Sequence, residues 1–195
     1  MTDVNVNNFN TSGYTYIKDL FDKNSISILS QYLENKIRRG EWKEELGKDK
    51  TSKYFYYADP LAEVILINSK NAVEKSTGRE LIPTYSYSRI YQPGEQLFPH
   101  VDRPSCEIST TVSIAYKGEP SPIYMQYKNN DPVKFTLEPG DAVSYLGCDV
   151  LHWRRPLQED QLVVQVMLHY VDKNGPYKDY AIDKRSMYGT TSVKE

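Results

Sequence analysis

Apolar residues in the first 80 positions recur at intervals of three and four, the spacing of one buried helix face. Between residues 17 and 37 seven side chains share this spacing: Leu20, Phe21, Ile28, Leu29, Tyr32, Leu33 and Ile37. Gly40 then follows as a stop signal. Asp59 and Pro60 open a second helix, as a capping carboxylate and a first-turn proline, and that helix ends near Gly78. The pattern predicts two helices, and we expect the polar, asparagine-rich first dozen residues to be loosely ordered.

After residue 81 the chain changes to short runs of β-branched and aromatic residues, separated by Pro, Gly, Asn and Asp turns. The runs that we predict as strands or hairpins are residues 84–91, 107–116, 121–137, 141–147 and 162–171. A further short strand should carry the segment around residue 100. Strands at such short intervals are typical of a sandwich or barrel. We therefore predict a mainly β single domain, with residues 1–80 as a helical buttress, 81–175 as an antiparallel jelly-roll core and 176–195 as an irregular tail.

Two of the three histidines lie in or beside these predicted strands. His100 and Asp102 form a His-x-Asp pair in LFPHVDRP, and His152 follows in DVLHWRRP. Side chains two residues apart point to the same side of an extended backbone. A second histidine from a later strand can complete one triangular face of an octahedron, a set that suits non-haem Fe(II) and leaves positions open. A lone His-x-Asp arises easily by chance, but hairpin-like flanks around both histidines favour a metal site.

Composition narrows the possible partners. With 24 basic and 26 acidic residues the charge is nearly balanced, so no nucleic-acid partner is expected. No apolar run approaches the roughly 20 residues of a membrane helix, and the polar start is unlike a signal peptide. Cys106 and Cys148 are too few and too scattered for a disulfide framework. We expect a cytoplasmic protein without a membrane partner, and the oligomeric state stays open.

With these elements in order, residues 85–172 resemble the Fe(II)/2-oxoglutarate-dependent dioxygenases, specifically their prolyl-4-hydroxylase-like branch. RIYQPGEQLFPHVDR resembles that branch's tyrosine, glycine-containing turn and His-x-Asp pair. STTVSIAY is similar to its next core strand, LEPGDAVSY to its Pro-Gly-Asp turn and HWRRP to its distal histidine. The resemblance implies a double-stranded β-helix (jelly-roll or cupin-like) catalytic core. It also implies Fe(II), 2-oxoglutarate and O2, with ascorbate as an optional reductant, and C–H hydroxylation coupled to decarboxylation of 2-oxoglutarate to succinate and CO2.

The chain departs from this family at the position of the basic residue that usually binds the co-substrate. Such enzymes usually anchor the distal carboxylate of 2-oxoglutarate with Arg or Lys nine or ten residues after the second histidine, where this chain has Gln161 and Leu162. A dianion in a partly desolvated pocket requires a cation. We favour Arg154, next to the distal histidine, and then Lys117, on the strand after His-x-Asp. Arg155 and Arg89 are the remaining candidates.

Four further side chains have to be assigned either to the site or to the fold. Tyr91 and Tyr116 match positions where the family branch uses phenols to hydrogen-bond the co-substrate. Gln165 lies inside the apolar run VVQVML, where an unpaired amide is costly, so it should line the active-site mouth or pair with a neighbour. His169 is expected to be a strand histidine satisfied within the fold rather than a ligand.

The substrate implied by the resemblance is a prolyl residue in a peptide or protein, and the alternative is a free amino acid or another small molecule. Two other classes stay open from the residues alone. A zinc hydrolase or lyase could use the same three ligands plus water. A non-catalytic jelly-roll binding module is the other, although the complete ligand set argues against it. Metal analysis and a test of 2-oxoglutarate dependence would discriminate the zinc class, because a zinc enzyme does not use the keto acid.

Overall fold

Two antiparallel sheets form the centre of the chain in a computed structural model that describes residues 2–44 and 52–192. The strands in these residues are β1 (Tyr14–Ile17), β2 (Lys43–Glu44), β3 (Tyr54–Tyr57), β4 (Leu81–Tyr91), β5 (Leu97–His100), β6 (Ile108–Lys117), β7 (Ile123–Tyr127), β8 (Val133–Phe135), β9 (Ala142–Leu146), β10 (Val150–Arg154) and β11 (Leu162–Asp172). The larger sheet has the order β1-β9-β6-β11-β4-β3-β2, and the smaller sheet has the order β5-β10-β7-β8.

The helices cover one face of the larger sheet. They are α1 (Thr2–Ser12), α2 (Lys23–Arg38) and α3 (Pro60–Thr77), and short 3-10 segments occur at Pro104–Cys106 and Lys178–Lys184. Asp59 caps α3 by accepting hydrogen bonds from the N–H groups of Leu61 and Ala62. Gly78 ends it in the left-handed conformation, with φ of 69°. Both predicted ends of this helix are therefore confirmed.

The amino-terminal region differs from the prediction. The first of the two predicted helices is α2, and it begins at Lys23 rather than at residue 17, because Asp22 caps it there by accepting from the N–H group of Ser25. Residues 14–17 instead form β1, which pairs with β9. The expectation of loose order is wrong for residues 2–12, which form α1 and bury Phe9 completely. A single buried aromatic residue in a polar stretch is too weak a periodic signal to predict a helix.

The strands predicted after residue 81 are confirmed, and residues 121–137 form the hairpin of β7 and β8. The short strand around residue 100 is β5. Side chains alternate across β11: Val164, Val166 and Leu168 face the helices, whereas Gln165 and His169 face the space between the sheets. The interior between the sheets is therefore partly polar, although the layer beneath the helices is apolar.

A buried ion pair holds the carboxyl-terminal segment against α3. Arg185 is 1% exposed, and its guanidinium donates to Glu63 at 2.5 Å and to the carbonyl of Thr84 at 2.8 Å. The hydroxyl of Tyr188 donates to the carbonyl of Pro83. The tail is thus attached both through this buried ion pair and through a tyrosine hydrogen bond. No helix in the described residues is long and apolar enough to cross a membrane.

Replacing Arg185 with Leu should lower the free energy of unfolding by about 3–5 kcal/mol, because it leaves the Glu63 carboxylate buried without its partner. Urea denaturation followed by circular dichroism measures this change. Lys173→Ala is the matched control, since Lys173 pairs with Glu80 at the surface and both side chains are about 60% exposed. That control should unfold like the unmodified protein. Equal losses in both variants would contradict a structural role for the buried pair.

Candidate metal centre

The pairing of β5 with β10 brings two histidines face to face. His100 and His152 are register partners in this antiparallel pair, and their ring centroids lie 4.2 Å apart. Asp102 follows β5, and its Oδ1 atom lies 3.6 Å from the Nε2 atom of each histidine. The potential ligand atoms of all three residues lie within 4.8 Å of one another. The structure therefore brings the three predicted ligands together.

Backbone carbonyls set the tautomers of both imidazoles. The Nδ1 atom of His100 lies 2.8 Å from the carbonyl oxygen of Phe98, and that of His152 lies 3.0 Å from the carbonyl oxygen of Val150. A carbonyl only accepts hydrogen bonds, so Nδ1 carries the proton in each ring. Each neutral ring then presents its Nε2 lone pair towards the carboxylate of Asp102. This arrangement is typical of histidines that bind a metal ion.

The carboxylate of Asp102 is held by a close approach of three chain segments. Its backbone N–H donates to the carbonyl of Gly147 at 2.8 Å, and its Oδ2 atom accepts from the hydroxyl of Ser109 at 2.7 Å. A Cβ atom on Gly147 would lie 2.0 Å from the carbonyl oxygen of Cys106 and 2.8 Å from Oδ2 of Asp102. Only glycine fits between these groups, so Gly147 permits the approach.

Burial is the largest influence on the protonation of all three residues. It lowers the pKa of His152, whose side chain is 3% exposed. Burial also opposes the charge of His100, but the neighbouring Asp102 carboxylate and the Phe98 carbonyl raise its pKa overall. Although burial alone would raise the pKa of Asp102, His100 and the charges and hydroxyl around it hold that pKa below its ordinary value. One carboxylate and two imidazoles fit Fe(II) or Zn(II).

A cavity of about 210 Å³ adjoins the three residues. Its far wall consists of side chains from β4 and β11: Tyr85, Tyr87, Arg89, Tyr91, Gln165, Met167 and His169. Tyr145 also lines it, with its ring centroid 4.7 Å from that of His152. The His100 side chain is 40% exposed, so the cavity opens to solvent on that side. The centre therefore has room for small molecules beside it.

Arg154 is a buried cation beside this cavity. It lies two residues after His152 on β10 and is 4% exposed. Its guanidinium donates to Oε1 of Gln165 at 2.9 Å and to the carbonyl of Ser121, while its Nε atom has no hydrogen-bond partner. Among the described residues no carboxylate lies within ion-pair distance of it. A buried guanidinium without a counter-charge is costly, so this position is suited to an anionic ligand.

Polar side chains surround the Arg154 guanidinium in a small chamber. Its lining includes Thr111, Ser113, Tyr116 and Gln165, and Thr111 and Gln165 also line the larger cavity. The chamber and the cavity are therefore adjacent. The sequence did not single out Ser109, Thr111 or Ser113, yet these alternate hydroxyl residues on β6 all reach the interior between the sheets. Their period of two is the signal that could have identified them.

Of the other candidate residues, two tyrosines line the cavity or the chamber, and two further side chains line neither space. Tyr91 is 1% exposed and lines the cavity, and the Arg154 guanidinium lies 5.6 Å from its ring. Tyr116 lines the chamber, but its hydroxyl donates to Glu138 at 2.9 Å. Lys117 is exposed at the end of β6 and lines neither space. Gln161, at a position of the usual anchor, donates to the carbonyl of Glu119.

Comparison with known proteins identifies the fold. No family model matches the sequence, and no curated protein matches it. A prolyl-4-hydroxylase from Pseudomonas putida aligns with a TM-score of 0.68 and 14% identity, over 87% of this chain and 99% of that chain. A prolyl hydroxylase from Trichoplax adhaerens, in complex with a hypoxia inducible factor oxygen degradation domain peptide fragment, aligns with a TM-score of 0.70 and 14% identity, over 94% and 93%.

A third solved structure is the epimerase SnoN from nogalamycin biosynthesis, in complex with Fe³⁺, alpha ketoglutarate and nogalamycin RO. It aligns with a TM-score of 0.72 and 12% identity, over 100% of this chain and 93% of that chain. At these identities the likeness shows the fold. The expected double-stranded β-helix core, with helices before it, is therefore confirmed.

Replacing Gly147 with Ala should weaken metal binding, because the new Cβ would displace Asp102 or the segment that carries Cys106. It should also destabilise the protein by about 1–3 kcal/mol through overpacking. Cobalt titration of the metal-free protein and urea denaturation measure the two effects. Gly40→Ala is the control, since a Cβ there has no atom within 4 Å and meets only the cost of a φ of +68°. Unchanged cobalt affinity in the Gly147 variant would refute the expected close approach.

Proposed function

We propose that this protein is an Fe(II)- and 2-oxoglutarate-dependent oxygenase that hydroxylates a C–H bond. The observation that carries this proposal is the convergence of His100, Asp102 and His152 next to Arg154, a buried cation without a counter-charge. A metal site alone would fit several enzyme classes. A metal site with an adjoining anion site, within the fold of the 2-oxoglutarate oxygenases, favours this one.

His100, Asp102 and His152 are the proposed iron ligands. The two Nε2 atoms and one Asp102 oxygen would hold the ion beside the cavity, which has room for further ligands. Bound iron would supply the redox chemistry that couples decarboxylation of 2-oxoglutarate to hydroxylation, with O2 as oxidant and ascorbate as an optional reductant. The chain itself holds the imidazoles in the correct tautomer and shields His152 from solvent.

Arg154 is the proposed partner of the distal carboxylate of 2-oxoglutarate. His152 and Arg154 lie two residues apart on β10 and are both buried on the same face of the strand, so a short diacid bound to the metal would extend towards the guanidinium. Gln165 holds the guanidinium in place through Oε1. Lys117 is less suited to this role because its side chain is exposed and lines neither the cavity nor the chamber.

Tyr91 and Tyr116 are proposed as co-substrate-binding phenols. Tyr91 is supported by its position in the cavity wall beneath the Arg154 guanidinium. Tyr116 is supported by its place in the chamber lining, where a β-bulge in the pairing of β6 with β11 turns it inward. Its hydroxyl would have to turn from Glu138 towards the co-substrate.

A prolyl residue in a peptide or protein is the substrate that we propose first. Phe98 and Val101 flank His100 at the open side of the site and are 44% and 49% exposed, an apolar rim that suits a substrate extending beyond the cavity. Two of the similar solved structures are prolyl hydroxylases, one with a peptide. The similarity to SnoN, whose structure holds nogalamycin RO, supports a small-molecule substrate as the second candidate.

Alanine replacement of His100, Asp102 or His152 should each abolish 2-oxoglutarate turnover, because two remaining ligands hold iron loosely. Succinate release measures turnover. Anaerobic Fe(II) titration adds a second readout: a weak visible charge-transfer band should form only with both Fe(II) and 2-oxoglutarate, and only in the unmodified protein. A protein that binds zinc and forms no such band would instead belong to the zinc hydrolase or lyase class.

Incubation with proline-containing peptides, followed by mass spectrometry, tests the substrate.

Arg154→Ala should raise the apparent Michaelis constant for 2-oxoglutarate by roughly tenfold to several hundredfold, or about 1.5–3 kcal/mol for a lost charge-assisted hydrogen bond. Arg154→Lys should recover part of the affinity, because a point charge replaces a two-pronged donor. Lys117→Ala is the control and should bind 2-oxoglutarate like the unmodified protein. A large effect of Lys117→Ala with none from Arg154→Ala would move the anchor to β6. No effect from either would make Arg155 and Arg89 the next residues to replace.

A further inference from the structure

A buried hydroxyl connects the proposed metal ligand Asp102 to the third histidine of the chain. Ser109 is completely buried on β6, and its Oγ atom lies 2.7 Å from Oδ2 of Asp102 and 3.0 Å from Nδ1 of His169. His169 is 5% exposed and faces Ser109 directly across the pairing of β6 with β11. The three side chains form a continuous hydrogen-bonded series inside the protein.

The direction of each hydrogen bond in this series follows from the single hydroxyl proton of Ser109. Ser109 has one hydroxyl proton, and the carboxylate oxygen of Asp102 is a closer acceptor than the carbonyl of Cys106, which lies 3.1 Å away. The Ser109 oxygen then accepts a proton from Nδ1 of His169. Because the Ser109 proton is given to Asp102, Nδ1 of His169 is the nitrogen that carries the proton in this series.

We propose that Ser109 and His169 are positioning residues that hold Asp102 so that it offers a single oxygen atom, Oδ1, to the metal ion. Oδ2 is occupied by the Ser109 hydroxyl and is crowded by Gly147, whereas Oδ1 faces both ligand histidines. A carboxylate that binds through one oxygen leaves one more position open on the metal. This inference rests on the proposed function and assigns to His169 a role beyond packing in its strand.

A second possible metal site shares Asp102 and His169 with this hydrogen-bonded series. The possible ligand atoms of Asp102, Cys106 and His169 also lie within 4.8 Å of one another. An ion held there would compete with the proposed centre for Asp102. In the structure the Sγ atom of Cys106 is instead 2.9 Å from the hydroxyl of Tyr85, and Ser109 lies between Asp102 and His169. We therefore assign His169 to the support of Asp102 and not to a second metal site.

Cobalt binding to the metal-free protein tests the assignment without turnover. Co(II) reports its own coordination through visible absorption, and competition with a chelator gives its dissociation constant. Ser109→Ala should raise that constant roughly 10- to 100-fold, because second-layer partners of metal ligands have effects of this size. His169→Leu, which removes the donor to Ser109, should raise it roughly tenfold, whereas His169→Asn, whose amide can donate from the Nδ1 position, should stay within about threefold of the unmodified protein.

Ser88→Ala is the matched control, because Ser88 is also completely buried in the larger sheet but its hydroxyl has no partner. It should bind cobalt like the unmodified protein, and thermal melting of every variant without metal separates misfolding from weaker binding. If Ser109→Ala keeps its melting temperature and its cobalt affinity, or if His169→Asn fails as badly as His169→Leu, the positioning role is refuted. An intense thiolate-to-cobalt band that Cys106→Ser removes would also overturn it. A folded, unmodified protein that binds no cobalt would refute the proposed metal centre itself, and this inference with it.

Discussion

The register between β5 and β10 is the constraint on which the rest of the site depends. It places His100 opposite His152, and the extended backbone then carries Asp102 to the same side. A slip of one residue would turn one histidine to the outer face of the sheet and remove the site. β5 lies at the edge of the smaller sheet, so β10 is the strand that holds it within the sheet.

The site also depends on the uneven distribution of polar groups between the two layers. The layer under the helices is filled by aliphatic and aromatic side chains, whereas the interior between the sheets contains Arg154, Gln165, Ser109 and His169. Nearly all of these polar groups have protein partners, and the Nε atom of Arg154 is an exception. Unpaired buried charge is unfavourable in an empty protein and favourable once an anion is bound. The fold therefore tolerates, at this position, a cost that a ligand would offset.

Charged side chains also connect the carboxyl-terminal segment to the residues around Asp102. Arg103, which follows Asp102 directly, forms two hydrogen bonds with Asp183 at 2.9 and 2.6 Å, and Asp183 also accepts from the hydroxyl of Tyr57. The Arg103 guanidinium lies 4.7 Å from the ring of Tyr85 in the cavity wall. Together with the pair of Arg185 and Glu63, these contacts connect the tail, the loop after the proposed metal ligand Asp102 and β3. The neighbourhood of Asp102 is thus fixed from several parts of the chain.

The sequence was sufficient to predict those helices and strands whose ends are set by capping and turn residues close by in the chain. The capping carboxylate of Asp59 and the left-handed Gly78 defined α3, and turn residues delimited the strands after residue 81. The strand at residues 14–17 and the helix before it escaped prediction because pairing with β9 and burial of Phe9 are long-range effects. Four tyrosine or phenylalanine residues at positions 54–57 form β3, which the sequence pattern also left unassigned.

The sequence by itself determined the three proposed metal ligands, the resemblance in fold and the absence of a basic residue at the usual anchor position, because these are matters of residue type and order. The sequence could only rank Arg154 ahead of Lys117 as the proposed anchor, and the tertiary structure adds that the Arg154 side chain is buried between the sheets whereas the Lys117 side chain is exposed. The tertiary structure alone joined Ser109 and His169 to Asp102. Those residues are up to 67 positions apart, and contact between them depends on how three separate segments align across the sheets, which spacing along one strand does not specify.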